Sequence, residues 1–272
     1  MKHYLKEGWK AALGQPFAII TLFVYQFIWG LALFRLIQSI VIQLMQRYPG
    51  ADQPQSAAQL FLAESQFQLL KTDISHSYLW WLAILLGLRM LLTPLMNAGI
   101  YYSLVHSDKQ AGYRFFKGMR ELFIPYLLIY ILQLSLTFGP LLWLLPKLKH
   151  AFAASSSYES ALMDLLPWLI GVLVYGYILR FCFMHIQFSL VRQVSVASSL
   201  WLFLRHILQI LLLAILLWML SGIVAFSTMT LSYIWAGMLA LLLYQLYPLI
   251  GIFLQVWTIT TQYQLWLAKI ER

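Results

Sequence analysis

The chain contains one cysteine, one asparagine and nine acidic side chains in 272 residues. Cys182 alone excludes an internal disulfide. Asn97 is followed by Ala-Gly and is therefore not a glycosylation sequon. Charged residues make up only 10% of the chain, against about 25% in an ordinary soluble domain. So few charges cannot clothe a water-exposed surface, which excludes a soluble enzyme, a secreted disulfide scaffold, a coiled coil and a disordered tail. The acidic residues all fall outside the long apolar runs. This removes the carboxylate of a proton or sodium relay and the paired carboxylates of an intramembrane aspartyl protease. No Gly-x-Ser-x-Gly elbow and no Gly-x-x-x-x-Gly-Lys-Ser/Thr loop occurs, so serine-nucleophile and P-loop chemistry are absent by motif.

What is abundant is apolar: 62% of residues are hydrophobic and mean hydropathy is +0.77. Lipid is the solvent such a composition requires, and about 20 residues suffice to cross it. Six spans are read, at residues 17–46, 78–105, 122–145, 165–191, 207–229 and 233–260. The expected fold is all-α, a polytopic six-helix bundle forming one integral membrane domain over residues 1–272. The opening MKHYLKEGWKAALGQPFAII mimics a signal peptide, but its apolar run continues through residue 34 without a small-x-small cleavage site, which favours a retained first helix. Between spans one and two, Leu60, Ala63, Phe67 and Leu70 recur at helical spacing, predicting a short amphipathic helix on the membrane.

The net charge of +9 is distributed along the chain and not gathered in a patch, which argues for membrane topology over nucleic acid. With the N-terminus inside, Lys2, Lys6, Lys10, Lys109, Arg114, Lys117, Arg120, Arg192, Arg205, Lys269 and Arg272 share the inner side. Arg47, Lys71, Lys147 and Lys149 lie outside. The positive-inside rule then puts both termini in the cytoplasm. Trp80, Trp81, Trp143, Trp168 and Trp235 fall at outer span ends, and Trp9, Trp201, Trp257 and Trp266 at inner ones, as interfacial belts do.

Residues 100–106, IYYSLVH, resemble residues 186–192, IQFSLVR, at an offset of 86, which pairs Phe115 with Trp201. Three parallel units are read, each a basic elbow followed by a helical hairpin; chance similarity among Leu-rich helices is the alternative. In the second elbow, residues 111–121, Arg114, Lys117 and Arg120 are expected at the membrane surface, with Phe115, Phe116 and Met119 in the acyl region.

Arg35, Arg89 and Arg180 lie within spans. At 1.5 Å per residue Arg35 is roughly 27 Å along its span and can snorkel outward, Arg180 lies roughly 18 Å from the inner side, and Arg89 lies roughly 16 Å deep. Arg89 and Arg180 are the candidate ligand-binding residues, for an anionic lipid or solute. The alternative is satisfaction by carbonyls freed at prolines and by amides such as Gln133, Gln245 and Asn97. Arg89 is expected to face the bundle interior. Gln26, Gln133, Gln209 and Gln245 read as interhelical hydrogen-bonding residues. Cys182 and His185 share a helical face, but zinc needs three or four ligands, so no metal or cofactor is expected.

The hairpin layout, the turn PLMNAG at residues 94–99 and the elbow YRFFKGMRELF at residues 113–123 resemble a loose group of bacterial six-helix membrane proteins of unknown function. They also resemble, more distantly, the membrane domain of some glycerophosphodiester phosphodiesterases. The resemblance implies a bacterial cytoplasmic membrane protein and supplies no catalytic residue. Two functional classes follow. One is a non-catalytic accessory or assembly subunit or lipid-interacting scaffold, with membrane lipids and another membrane or ATPase subunit as partners. The other is a small permease or flippase-like transporter of an anionic or amphiphilic solute.

Overall fold

The computed structural model describes residues 1–45, 73–154, 158–234 and 238–270. The expected amphipathic segment near Leu60–Leu70 lies outside the described residues, as do Arg47, Lys71, Trp235 and Arg272. Among the described residues the chain is all-α. It consists of α1 (Lys2–Leu13), α2 (Pro16–Met45), α3 (Asp73–Val105), α4 (Ala111–Ala154), α5 (Tyr158–Arg192), α6 (Val196–Arg205), α7 (Ile207–Ile234) and α8 (Met238–Ile270). Among the described residues five helices, α2 to α5 and α7, are long and apolar enough to cross a membrane. The span read at residues 233–260 falls largely on α8. This is a multi-pass membrane bundle.

Local chemistry explains where the helices start and stop. In α1, Gly8 and Ala12 are buried while Lys2, Lys6 and Lys10 form an exposed stripe at intervals of four, the amphipathic pattern of a surface helix. Gly14 and Gln15 close the helix by bonding back to the Lys10 and Ala12 carbonyls. Pro16 then opens α2 at a position where its missing N–H costs nothing. In α6, Ser199, Leu202 and Phe203 are buried on one face, while Trp201 and Leu204 are exposed. The second elbow is not a separate helix: residues 111–121 run without a break into the following span as α4. That segment has no Gly-x-Pro break like Gly14-Gln15-Pro16, and Pro125 is accommodated inside the helix.

The described residues group into two units, Met1–Ile20 with Pro94–Arg272, and Thr21–Thr93. In the smaller unit, Leu22 and Trp29 are buried, Phe23 and Phe27 stack with centroids 6.2 Å apart, and the Arg89 guanidinium lies 5.4 Å from the Trp29 ring centroid.

In the larger unit the core sits where the elbows meet the ends of α3, α5 and α8. Each elbow crosses one helix end at a small residue. On α1, Gly8 lies directly against Thr261 of α8, and Thr260 Oγ1 donates to the Gly8 carbonyl at 2.8 Å. On α4, Gly118 lies against Tyr102 and the Ala98 carbonyl of α3. On α6, Ser199 Oγ donates to the His185 carbonyl of α5 at 2.9 Å. The second and third elbows each pack on the even span just before them, and the first packs on the last, so the three contacts close a ring. Lipid tails are as apolar as leucine, so helix association in a membrane depends on close packing and hydrogen bonds. Both are concentrated here.

Phe188 stands among Tyr101, Tyr263, His185 and Trp266 at centroid distances of 5.2 to 5.9 Å. Around it, Tyr126 Oη donates to the Gln187 carbonyl at 3.0 Å, Trp266 Nε1 to Ser199 Oγ at 2.8 Å and Gln262 Nε2 to the Ile210 carbonyl at 3.1 Å.

The 86-residue offset holds within the helix ends: Tyr101, Tyr102 and Ser103 are buried, and so are Gln187, Phe188 and Ser189. It fails at the elbow. Phe115 is fully buried, but Trp201 is 68% exposed, and the buried aromatic of α6 is Phe203, two residues further on. The Phe115 ring lies against Gly99, and Phe203 lies 5.4 Å from the His185 ring. The linkers between helix end and elbow differ in length, residues 106–110 against 193–195; the shorter one moves the match to Phe115 earlier on α6, so Phe203 is a separate packing solution and not a shifted copy of Phe115.

Candidate functional site

Two clefts in the larger unit include residues at the end of α3 and carry charged side chains in their linings. The first, of about 490 Å³, is lined by Glu7, Lys10 and Ala11 of α1, Gly14 and Gln15 of the following turn, Ser103 and Leu104 of α3, Ser107 of its linker, Arg114 of α4 and Gln264 of α8. Arg114 is 5% exposed. Its Nη1 donates to the Ser107 carbonyl at 3.0 Å and its Nη2 to the Gly14 carbonyl at 2.9 Å, while Nε is buried without a partner. Gln15 is buried as well, with Oε1 unpaired. Lys10 is exposed at the rim. The Glu7 carboxylate is 3.1 Å from His3 Nδ1. The second cleft, of about 320 Å³, includes Tyr102, His106, Glu121, Arg192 and Gln193. There His106 stacks on Tyr102 with centroids 4.1 Å apart, and Arg192 Nε donates to Tyr263 Oη at 2.8 Å.

The expected surface elbow is thereby divided. Lys117 pairs with Glu121 at 3.5 Å, and Arg120 and Phe116 are exposed. Arg114, expected at the membrane surface, is instead buried, because two backbone carbonyls within reach accept from it. Phe115, expected in the acyl region, is a core residue, because Gly99 presents no Cβ to hold its ring away from α3. The aromatic belt divides in the same way. Trp80, Trp81, Trp143, Trp168 and Trp201 are exposed, but Trp266 is fully buried and hydrogen bonded to Ser199. Trp257 Nε1 donates to the Leu5 carbonyl at 3.1 Å.

Arg89 and Arg180 are both exposed, and neither lines either cleft. Arg89 does not meet the expectation of an interior-facing side chain: it is exposed, and its guanidinium lies over the face of Trp29, a cation–π arrangement. His185 is fully buried, with Nδ1 2.9 Å from the Phe181 carbonyl, and among the described residues no three metal-ligating side chains converge.

Reading the sequence missed Gln15, Gln187, Ser199, Thr260 and Gln262, which are among the buried polar residues of the larger unit. Gln26, Gln209 and Gln245, expected to bridge helices, are exposed. A usable signal was available: TQYQLW at residues 261–266 aligns with IYYSLV and IQFSLV, and would have marked the third helix end. Comparison with protein families, curated proteins and solved structures returned no match to this chain.

Proposed function

We propose that the chain is a non-catalytic multi-pass protein of the bacterial cytoplasmic membrane that acts as a lipid-interacting scaffold or as an accessory or assembly subunit. In this reading both termini are cytoplasmic, the elbow ring lies at the inner leaflet, and the protein belongs with the six-helix membrane proteins it resembles. The observation that carries the reading is the ring itself: three elbows lock one end of the bundle, while Lys2, Lys6, Lys10, Arg120 and Arg205 remain exposed around it. Each cation near an anionic leaflet contributes about 1 kcal/mol. The exposed Phe116, Trp201 and Leu204 supply apolar anchors beside those cations.

The test compares thermal stability in nanodiscs of neutral phosphatidylcholine with discs containing phosphatidylglycerol. The expected result is higher stability in anionic discs, reduced when Arg120 and Arg205 are changed to Gln. Equal stability in both discs overturns the lipid-interacting reading. For topology, single cysteines at Lys2 and Gln55 in a Cys182→Ser background are expected to label from opposite sides. The internal repeats favour a second reading, a permease for an anionic or amphiphilic solute, and solute uptake by proteoliposomes that is lost in Arg89→Leu would establish it.

A further inference from the structure

We propose that the cleft between α1, the end of α3 and the start of α4 binds a single phosphate-bearing headgroup, held by Arg114 and Lys10. The site deepens the lipid-interacting reading and rests on it for the source of the ligand, though not for the chemistry.

Arg114 is an almost fully buried cation whose two recorded partners are neutral carbonyls. Taking a guanidinium out of water is costly unless its charge is matched. The one carboxylate lining the cleft, Glu7, is engaged with His3. Nε has no partner, although it belongs to the planar fork that matches phosphate bidentately. Lys10 adds a second positive charge at the rim.

The unpaired Oε1 of Gln15 is an acceptor awaiting a donor. A hydroxyl or ammonium group two or three bonds from a phosphate would supply one, as glycerol and ethanolamine headgroups do. A cleft of about 490 Å³ lies within the range of small-ligand pockets and leaves room for more than the phosphate. The same chemistry could come from a phospholipid or from a soluble phosphoester.

The experiment uses the full chain, delipidated in detergent, and follows its melting temperature in titrations. The probes are inorganic phosphate, sn-glycerol 3-phosphate, dihexanoyl phosphatidylglycerol and, as an uncharged control, dihexanoylglycerol. A saturable rise with the phosphoester probes and none with dihexanoylglycerol is expected. Lys10→Gln should weaken the apparent affinity about fivefold, and Arg114→Lys about tenfold, the latter equivalent to about 1.4 kcal/mol. Glu7→Gln, which removes the repelling carboxylate, should tighten it about twofold to fivefold, an effect no purely structural role of the cleft predicts. Stronger response to the short-chain lipid assigns the source to the membrane; equal response to glycerol phosphate assigns it to a soluble ester.

If neither phosphoester shifts the melting temperature, or if Lys10→Gln and Glu7→Gln both titrate as the parent does, the proposal is overturned, even where Arg114→Lys fails to fold. Anionic nanodiscs that stabilise the protein without saturable binding would sink this site and leave the broader lipid reading standing. Saturable binding without any nanodisc effect would do the reverse.

Discussion

The hydroxyl of Thr260 donates to the carbonyl of Gly8 at 2.8 Å, joining two helices separated by 252 positions in sequence. The Gly8 carbonyl is within reach because Gly8 has no side chain: a Cβ there would overlap Thr261, including its backbone Cα at 2.7 Å. The absent methyl thus allows both the close approach and the hydrogen bond that closes the elbow ring.

Gly8→Ala should therefore destabilise the protein by about 1–3 kcal/mol, the usual cost of overpacking a filled interface. Gly139→Ala is the matched control, since a Cβ there meets nothing within 4 Å. It should be neutral or stabilising by up to about 1 kcal/mol, through helix propensity. Thermal unfolding in detergent separates the two; similar behaviour would mean that the α1–α8 crossing is not a tight contact.

Ser199 links three helices, accepting from Trp266 Nε1 and donating to the His185 carbonyl. Ser199→Ala and Trp266→Phe should each cost about 1–3 kcal/mol, because each leaves a buried polar partner unsatisfied. The double variant should cost less than the two single losses combined, by about 0.5–1.5 kcal/mol. Strict additivity in that cycle would show that the bond carries no energy.

Gln193 ends α5 with φ of 55°, and the Val194 N–H reaches back to the Ser189 carbonyl at 2.9 Å, the pattern of a Schellman cap. A side chain in the left-handed region costs about 1–2 kcal/mol. Gln193→Gly should raise stability by up to about 1 kcal/mol, because the glycine's added freedom in the unfolded chain offsets part of the relief. Gln193→Val should lower it. Melting temperatures of the two variants, moving in opposite directions from the parent, are the required result.

Arg89 rests on the face of Trp29. A cation–π contact contributes about 0.5–2 kcal/mol, depending on its desolvation. Arg89→Leu removes that contact together with the cost of holding a charge in lipid, so folding and membrane abundance should persist. A double-mutant cycle of Arg89→Leu with Trp29→Leu should return a coupling of about 0.5–2 kcal/mol. Loss of folding in Arg89→Leu alone would assign the residue a structural role beyond this pair.

His206 joins α6 to α7. Partial burial, then the charges of Lys269 and Arg205, hold its imidazole below the ordinary histidine range. The unfolded chain therefore binds the proton more readily than the folded one. This contribution to stability is complete above the unfolded value of about 6.5 and declines as pH falls through it. His206→Gln should flatten that part of the stability–pH curve, and an NMR titration should find His206 protonating below an ordinary histidine. A value at or above the ordinary one would contradict the arrangement.

The sequence alone was enough to place the long apolar helices among the described residues. Long apolar runs are local features, and α2, α3, α4, α5, α7 and α8 lie over the runs read from them. Membrane residence followed from composition by the same local logic. What only the tertiary structure decided is which apolar face meets protein and which meets lipid. Hydrocarbon and packed leucine are equally apolar, so hydropathy gives Phe115 and Phe116 the same value. Phe115 is nevertheless buried on Gly99 and Phe116 is 59% exposed. Trp266 and Trp201 diverge in the same way. Arg114 was legible as a cation on a basic elbow, but not as a buried one. Its carbonyl partners, Gly14 and Ser107, lie 100 and 7 residues away, and a hydrogen bond to a distant backbone group has no signature in side-chain pattern. The elbow ring depends on where Gly8, Gly118 and Ser199 allow two helices to touch, a matter of missing atoms that only the assembled packing reveals.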